Sequence, residues 1–358
     1  MIKPYYKELS GKLGFPKSST STPPSESKDN VIQFYLTDGC SHSKCTFCDV
    51  HVGDKYRVKT LDEFKEHVDL SLEYIADNHP SKLDEINRIF IGDCNALNAN
   101  SILLKRATQY AYTQVKKYTG KLSKRLAIYG NVNDVLNKSG SELSYLRCGG
   151  TCWDDCSMKF FGDRRGVEVI YLGLESGNSK VLKISGKGYN HKDALKAINK
   201  INISKIRLSL MVMPGLGGIK YSNEHVKDTL DIINSSNAEW ITFLGLDIKE
   251  NTPYAKWVHN EEKKGTNRRL SCEEIVEQTA QLVEGIRIAT TIGVYDKLIT
   301  PIANNPKPIG TFNTGQVVPI EIANSLRDNN DGNYNLEEIA DSFNQEKRIN
   351  FLNLFRWF

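Results

Sequence analysis

Gly39-Cys40-Ser41-His42-Ser43-Lys44-Cys45-Thr46-Phe47-Cys48-Asp49 puts three of the chain's eight cysteines within nine residues, just after the strand-like run VIQFYLT at 31–37. Short loops let thiolates converge, and sulfur suits soft metals. Three such thiols can hold three corners of a tetrahedral metal site or of a cubane iron-sulfur cluster. Three ligands leave one coordination position vacant, which marks a reactive site, whereas structural zinc is normally closed by four protein ligands. No further Cys follows at short CxxC spacing, so a zinc ribbon would need a distant fourth ligand. The loop therefore reads as the metal site of an enzyme.

The rest of the chain bounds that reading. A length of 358 residues can bury a substantial core, and one main domain with extensions is expected. Hydrophobic residues at 39% and charged residues at 25% match an ordinary soluble globular protein. No apolar stretch approaches the roughly 20 residues of a membrane span. The opening MIKPYYKELSGKLGF lacks the apolar centre of a signal peptide, so a cytoplasmic protein is expected. In a reducing compartment eight cysteines serve as metal ligands or free thiols rather than a disulfide framework. A net charge of +4, without an arginine-rich run interleaved with aromatics, gives no clear nucleic-acid site.

Residues 1–30 include SSTSTPPSESKDN and read as a flexible or extended leader. From residue 31 strands and helices alternate. Six β-rich runs stand at 31–37, 88–93, 125–131, 167–176, 205–214 and 240–248, several apolar on both faces as buried parallel strands are. Helical periodicity marks Leu61 to Ala76, Ser101 to Tyr118, His191 to Ile201, Asn223 to Asn234 and Cys272 to Thr291. Repeated βα units predict an α/β fold, either a barrel or a doubly wound sheet. The expected core is 31–320, carrying an insertion at 147–166, with a C-terminal extension at 321–358.

Two segments carry the strongest motif pattern, CSHSKCTFC at 40–48 and GLESGNSKVLKISGKG at 173–188. They resemble the radical S-adenosylmethionine (SAM) superfamily, in particular a coproporphyrinogen-oxidase-like subgroup. The superfamily's usual signature is C-x3-C-x2-C with an aromatic before the last Cys. Here four residues separate Cys40 from Cys45, and Phe47 is the aromatic. The resemblance implies a partial (β/α)6 TIM-like barrel. It also implies that Cys40, Cys45 and Cys48 bind three irons of a 4Fe-4S cluster whose fourth iron takes SAM. By the same resemblance the backbone around Phe47 contacts adenine, and Gly92 with Asp93 matches an element that accepts hydrogen bonds from the methionine amino group. Glu175 lies near the ribose or methionyl group with Lys187 meeting its carboxylate, and Ser209 faces the cofactor. The turn Gly215-Leu216-Gly217-Gly218 shelves adenine. The implied activity is reductive cleavage of SAM to a 5'-deoxyadenosyl radical that abstracts hydrogen from a small-molecule substrate. The electron comes from a donor such as flavodoxin or ferredoxin.

Other readings of the same residues stand beside these. Asp93 can cap the next helix, and Glu175 with Lys187 can form a plain ion pair. Cys148, Cys152 and Cys156, one every fourth residue, hold a second metal or cluster, or are three reduced thiols in a loop. A second cluster would fit an RNA- or protein-modifying enzyme. A non-catalytic zinc or iron-sulfur module is the third hypothesis, and it leaves Glu175 and the glycine turn unexplained. Cys94 and Cys272 read as small apolar residues, and His225 as a capping or surface residue. The segment Asp328 to Gly332 is no EF-hand, because Arg327 would occupy the first ligand position. The aromatic end, residues 351–358, is expected to dock on the core.

Overall fold

The computed structural model describes residues 22–23, 26, 31–148, 166–288, 290–295 and 308–313. In chain order the strands are β1 Val31–Tyr35, β2 Thr37–Asp38, β3 Arg57–Val58, β4 Arg88–Gly92, β5 Arg125–Gly130, β6 Val169–Glu175, β7 Arg207–Val212, β8 Ala238–Leu244, β9 Thr291–Tyr295 and β10 Pro308–Asn313. The helices are α1 Leu61–Asn78, α2 Pro80–Leu83, α3 Ser101–Thr119, α4 Val132–Asn137, α5 Gly140–Arg147, α6 Ser179–Ile184, α7 His191–Ser204, α8 Ser222–Asn234, α9 Pro253–Lys264 and α10 Cys272–Glu284. Strands β1 and β4 to β8 are the six expected, and the chain has the α/β, six-parallel-strand arrangement of a partial (β/α)6 fold. The helix expected to run to Thr291 instead stops at Gly285, and Thr291 opens β9. The run Thr291-Ile292-Gly293-Val294-Tyr295 is β-branched and aromatic, which favours a strand.

The chain divides into two compact units, with the division falling inside β6 and β7. The first contains the described residues of Met1–Lys44, Cys48–Gly173 and Lys196–Leu208. There β1, β4, β5 and β6 pair in parallel, with Val31 opposite Arg88, Arg88 opposite Arg125, and Ala127 opposite Val169. All five residues of β1 and all seven of β6 are buried, as strands with both faces covered must be. Helix α1 starts from a capping box, Thr60 with Glu63, and buries Phe64, Val68, Leu72 and Ile75 along one stripe. Helix α3 is capped by Asn100 and stops at Gly120, whose φ of +66° is left-handed. Glu26 is buried at 1% exposure. Its Oε1 accepts from Arg125 Nη2 at 2.6 Å and from Tyr171 Oη at 2.7 Å, and its Oε2 lies 3.4 Å from Arg88 Nη1.

The second unit contains Cys45–Phe47, Leu174–Leu195 and the described residues from Ser209 onward. In it β8 pairs in parallel with β9, Trp240 opposite Thr291, and β9 pairs antiparallel with β10. Val181, Leu216, Leu246, Tyr254 and Val258 form a buried apolar cluster. Among the described residues no helix is long and apolar enough to cross a membrane.

Candidate metal and cofactor site

The thiol loop is the excursion between β2 and β3, which pair Thr37 with Val58 and Asp38 with Arg57. Its base is fastened by Asp38, whose carboxylate receives Lys59 Nζ at 2.5 Å and Arg57 Nη2 at 3.0 Å. Cys40, Cys45 and Cys48 are not in disulfides, and each is half-buried.

In the first unit, the residues just past β4 grip this loop. The Cys94 thiol is hydrogen-bonded to Cys40. That bond, with the backbone at Ser43 and His42, outweighs burial and brings the Cys40 thiol down to about 5. This lowering favours the thiolate, the form that binds metal. Asn95 Nδ2 donates to Ser41 Oγ at 2.8 Å and stands 3.8 Å from Cys40 Sγ. Asp93 is fully buried, and its Oδ2 lies 3.3 Å from His51 Nε2. His51 Nδ1 lies 2.9 Å from Asp54 Oδ2. The Asp93 bond, helped by Asp54 and opposed by burial, pushes His51 up to about 9. The neighbouring polar side chains are Tyr56, which donates to Asn98 Oδ1 at 3.0 Å, and Asp134, which accepts from Asn98 Nδ2 at 2.9 Å.

Two expectations are corrected here. Cys94 is a hydrogen-bonding thiol against Cys40 and not merely a small apolar residue. Asp93 is held by His51, and the short helical turn that follows is entered at Asn95. Gly92 carries its own constraint, since a Cβ there would meet Gln33 Nε2 at 2.9 Å. Its carbonyl accepts from Leu36 N at 2.9 Å.

In the second unit, Glu175 closes β6 with φ +59°, a left-handed conformation that costs a non-glycine residue of order 1–3 kcal/mol. Helix α8 secures the turn that follows. Thr229 Oγ1 accepts from Gly177 N at 2.8 Å, Asp228 Oδ2 accepts from Asn178 Nδ2 at 2.7 Å, and His225 Nδ1 lies 2.8 Å from Ser176 Oγ. His225 is fully buried, a correction to the capping or surface position expected for it.

Glu175 and Lys187 are both buried, 3.2 Å apart. Burial opposes the lysine's charge, but the charges of Glu175, Tyr189 and Cys45 outweigh it and raise its pKa. The plain ion pair, the alternative reading of these two residues, is what the structure contains. Ser209 Oγ is buried on β7 with no hydrogen-bond partner among the described residues. Phe47 packs on the Val181 and Tyr254 cluster. Beside it Thr46 donates through N to Ser185 O at 3.0 Å and through Oγ1 to Ile184 O at 2.9 Å. In the glycine turn, Gly215 N donates to Gln278 Oε1 at 2.7 Å and Gly217 N to Tyr254 Oη at 2.8 Å.

The donor chemistry fits the implied groups: three half-buried thiols outside any disulfide, one with its pKa lowered, and a buried hydroxyl with no hydrogen-bond partner among the described residues, which a polar ligand would satisfy. His51 and Asn95 are site residues with no motif of their own in the sequence. His51 follows Cys48 by only three positions, but nothing in the sequence tied it to Asp93. Cys148 closes α5, its N–H donating to Ser144 O at 3.0 Å. Cys152, Cys156 and the segments at 328–332 and 351–358 lie outside the described residues.

No family model matches the chain. Over 228 residues it is 26% identical to the heme chaperone HemW of Buchnera aphidicola subsp. Schizaphis graminum, covering 62% of this chain and 52% of that protein. Over 227 residues it is 27% identical to the HemW of Buchnera aphidicola subsp. Acyrthosiphon pisum, covering 63% and 53%. The chain thus spans about half the length of the curated relatives it matches. Among solved structures it is similar to the cobalamin-dependent SAM radical enzyme OxsB, with a TM-score of 0.46 and 14% identity over 70% of this chain and 40% of that one. It is also similar to coproporphyrinogen III oxidase (HemN) from Escherichia coli, a radical SAM enzyme, with a TM-score of 0.43 and 10% identity over 71% and 52%. The motif order read from the sequence resembles that of the radical SAM superfamily, and the chain is similar to the two HemW proteins over about half their length.

Proposed function

We propose that this chain is a radical SAM enzyme that binds a 4Fe-4S cluster on Cys40, Cys45 and Cys48, with SAM beside it, and acts on a small-molecule substrate. Such a cluster, when bound and reduced, supplies the electron for reductive cleavage of SAM, and a flavodoxin- or ferredoxin-like donor would deliver that electron. The observation that carries the reading is the Cys40 thiol, brought down to about 5 by the thiol of Cys94 and two backbone groups in a loop with two further thiols outside any disulfide. Each neighbouring residue then has a task. Cys94 and Asn95 orient the first ligand, and Thr46 pins the loop next to the second. Lys187 neutralises Glu175, so that a carboxylate can stay buried and accept hydrogen bonds from ribose or the methionyl amine. Gly92, Asp93, the backbone at Phe47 and the Ser209 hydroxyl supply the remaining polar contacts for SAM. The test is iron and sulfide content after anaerobic reconstitution, followed by dithionite, SAM and an assay for 5'-deoxyadenosine. About four irons per chain and deoxyadenosine formation are expected, both lost in Cys45→Ala. Zinc in place of iron with no SAM cleavage, or cleavage that survives Cys45→Ala, would overturn the assignment.

One observation favours a second reading, in which the chain carries heme. The two HemW relatives are named heme chaperones. Hemin titration followed by its Soret band separates the two, since a carrier binds hemin stoichiometrically and forms no deoxyadenosine.

A further inference from the structure

His51, Asp93 and Cys94 bring an imidazole nitrogen, a carboxylate oxygen and a sulfur within 4.8 Å of one another in the first unit. None of the three belongs to the Cys40, Cys45 and Cys48 set. His51 and Asp93 are buried and Cys94 is half-buried, which sets this group apart from the solvated acidic clusters common on protein surfaces. The histidine is also aimed. Its Nδ1 lies 2.9 Å from Asp54 Oδ2, and its Nε2 lies 3.3 Å from Asp93 Oδ2. A carboxylate on one ring nitrogen is the arrangement that fixes a metal-binding histidine's tautomer and leaves the other nitrogen as the ligand.

We propose that His51, Asp93 and Cys94 form a divalent-metal site of their own, occupied in the cluster-free chain by zinc or ferrous iron. A mixed nitrogen, oxygen and sulfur set selects ions of this borderline class over magnesium or calcium, which take oxygen ligands. Binding forms three bonds, from Nε2, a carboxylate oxygen and Sγ. It releases two protons to solvent, the one shared by His51 and Asp93 and the one on the Cys94 thiol. Three protein ligands leave a tetrahedral position open to water. Because Cys94 leans on Cys40, an ion that takes the Cys94 thiolate crowds a sulfur assigned to the cluster, so ion and cluster are alternative occupants.

The experiment uses the full chain carrying Cys40→Ala, Cys45→Ala and Cys48→Ala, prepared anaerobically without iron and titrated with Co2+ as the probe. The expected result is a single cobalt ion with tetrahedral visible bands and a thiolate-to-cobalt absorption, displaced by zinc. Adding Cys94→Ser should abolish the thiolate absorption. Asp54→Asn, at a side chain 42% exposed where the fold is not at stake, should keep the bands and weaken affinity ~10–100-fold. No cobalt bands in the parent variant, or a thiolate band that survives Cys94→Ser, would refute the site. Failure of the wild-type chain to assemble an iron-sulfur cluster would leave this result unchanged, because the variant lacks the cluster thiols altogether.

Discussion

Glu26→Ala should destabilise the first unit by about 4 kcal/mol, although this residue lies in a Ser/Pro-rich stretch that reads as a loose leader. The carboxylate is 1% exposed and accepts two short hydrogen bonds on Oε1, from Arg125 at 2.6 Å and Tyr171 at 2.7 Å. Arg125 is itself only 9% exposed, so the substitution strips a buried guanidinium of this counter-charge. Removing one partner of a buried pair costs about 3–5 kcal/mol, while the Arg88 contact at 3.4 Å to a side chain 20% exposed adds little. Glu26→Gln keeps the acceptor but not the charge and should cost about 2 kcal/mol. Urea unfolding of cluster-free protein, followed by tyrosine fluorescence and circular dichroism, measures both. The same loss shifts Tm by roughly 8–16 °C for a unit of this size. Pairing Glu26→Ala with Arg125→Met removes the stranded charge, and at least about 1 kcal/mol should return as coupling. A Glu26→Ala variant within about 1 kcal/mol of wild type, or strictly additive losses in the double variant, would show that the pair is not holding the strand ends.

Lys187→Met should cost about 3–5 kcal/mol by leaving Glu175 buried without that cation, and should weaken SAM binding in equilibrium dialysis of reconstituted protein. Gly177→Ala places a Cβ 2.1 Å from the backbone oxygen of Asp228, so it should lose at least about 1–3 kcal/mol and disturb the Glu175 turn, read by melting and by SAM affinity together. Acid should destabilise the chain through its buried histidines. Burial lowers His225 to about 4, and burial with the charge of Lys59 lowers His67 to about 3. Both are neutral when folded, so their contribution is complete above about pH 6.5 and is lost as pH falls, roughly 3 kcal/mol for His225 between pH 6.5 and 4. His225→Asn should flatten the melting profile over that window, and an unchanged slope would remove His225 as its cause.

The elements were readable because each carries a local signal. Val31 to Tyr35 and Val169 to Glu175 are apolar on both faces, and Thr60 with Glu63 announces α1. The amphipathic period that begins at Cys272 runs on past Gly285 and so points to a longer helix, but tertiary pairing with β8 makes Thr291 to Tyr295 a strand. Glu175 and Lys187 were legible as a pair because both sit in one contiguous motif. His51 with Asp93, and Cys94 with Cys40, were not, since each pair joins residues about 40 or more positions apart and no periodicity links them.

The chemistry of the thiol loop follows from sequence: three sulfurs on a short tether must converge, whatever the rest of the chain does. Which sulfur is a thiolate, which carboxylate is paired and which hydroxyl is left wanting are decided only when the strand ends meet. The reason is that pKa and hydrogen-bond satisfaction depend on distance and desolvation. Folding brings Cys94 to Cys40, His51 to Asp93 and Glu26 to Arg125 across separations of 54, 42 and 99 residues.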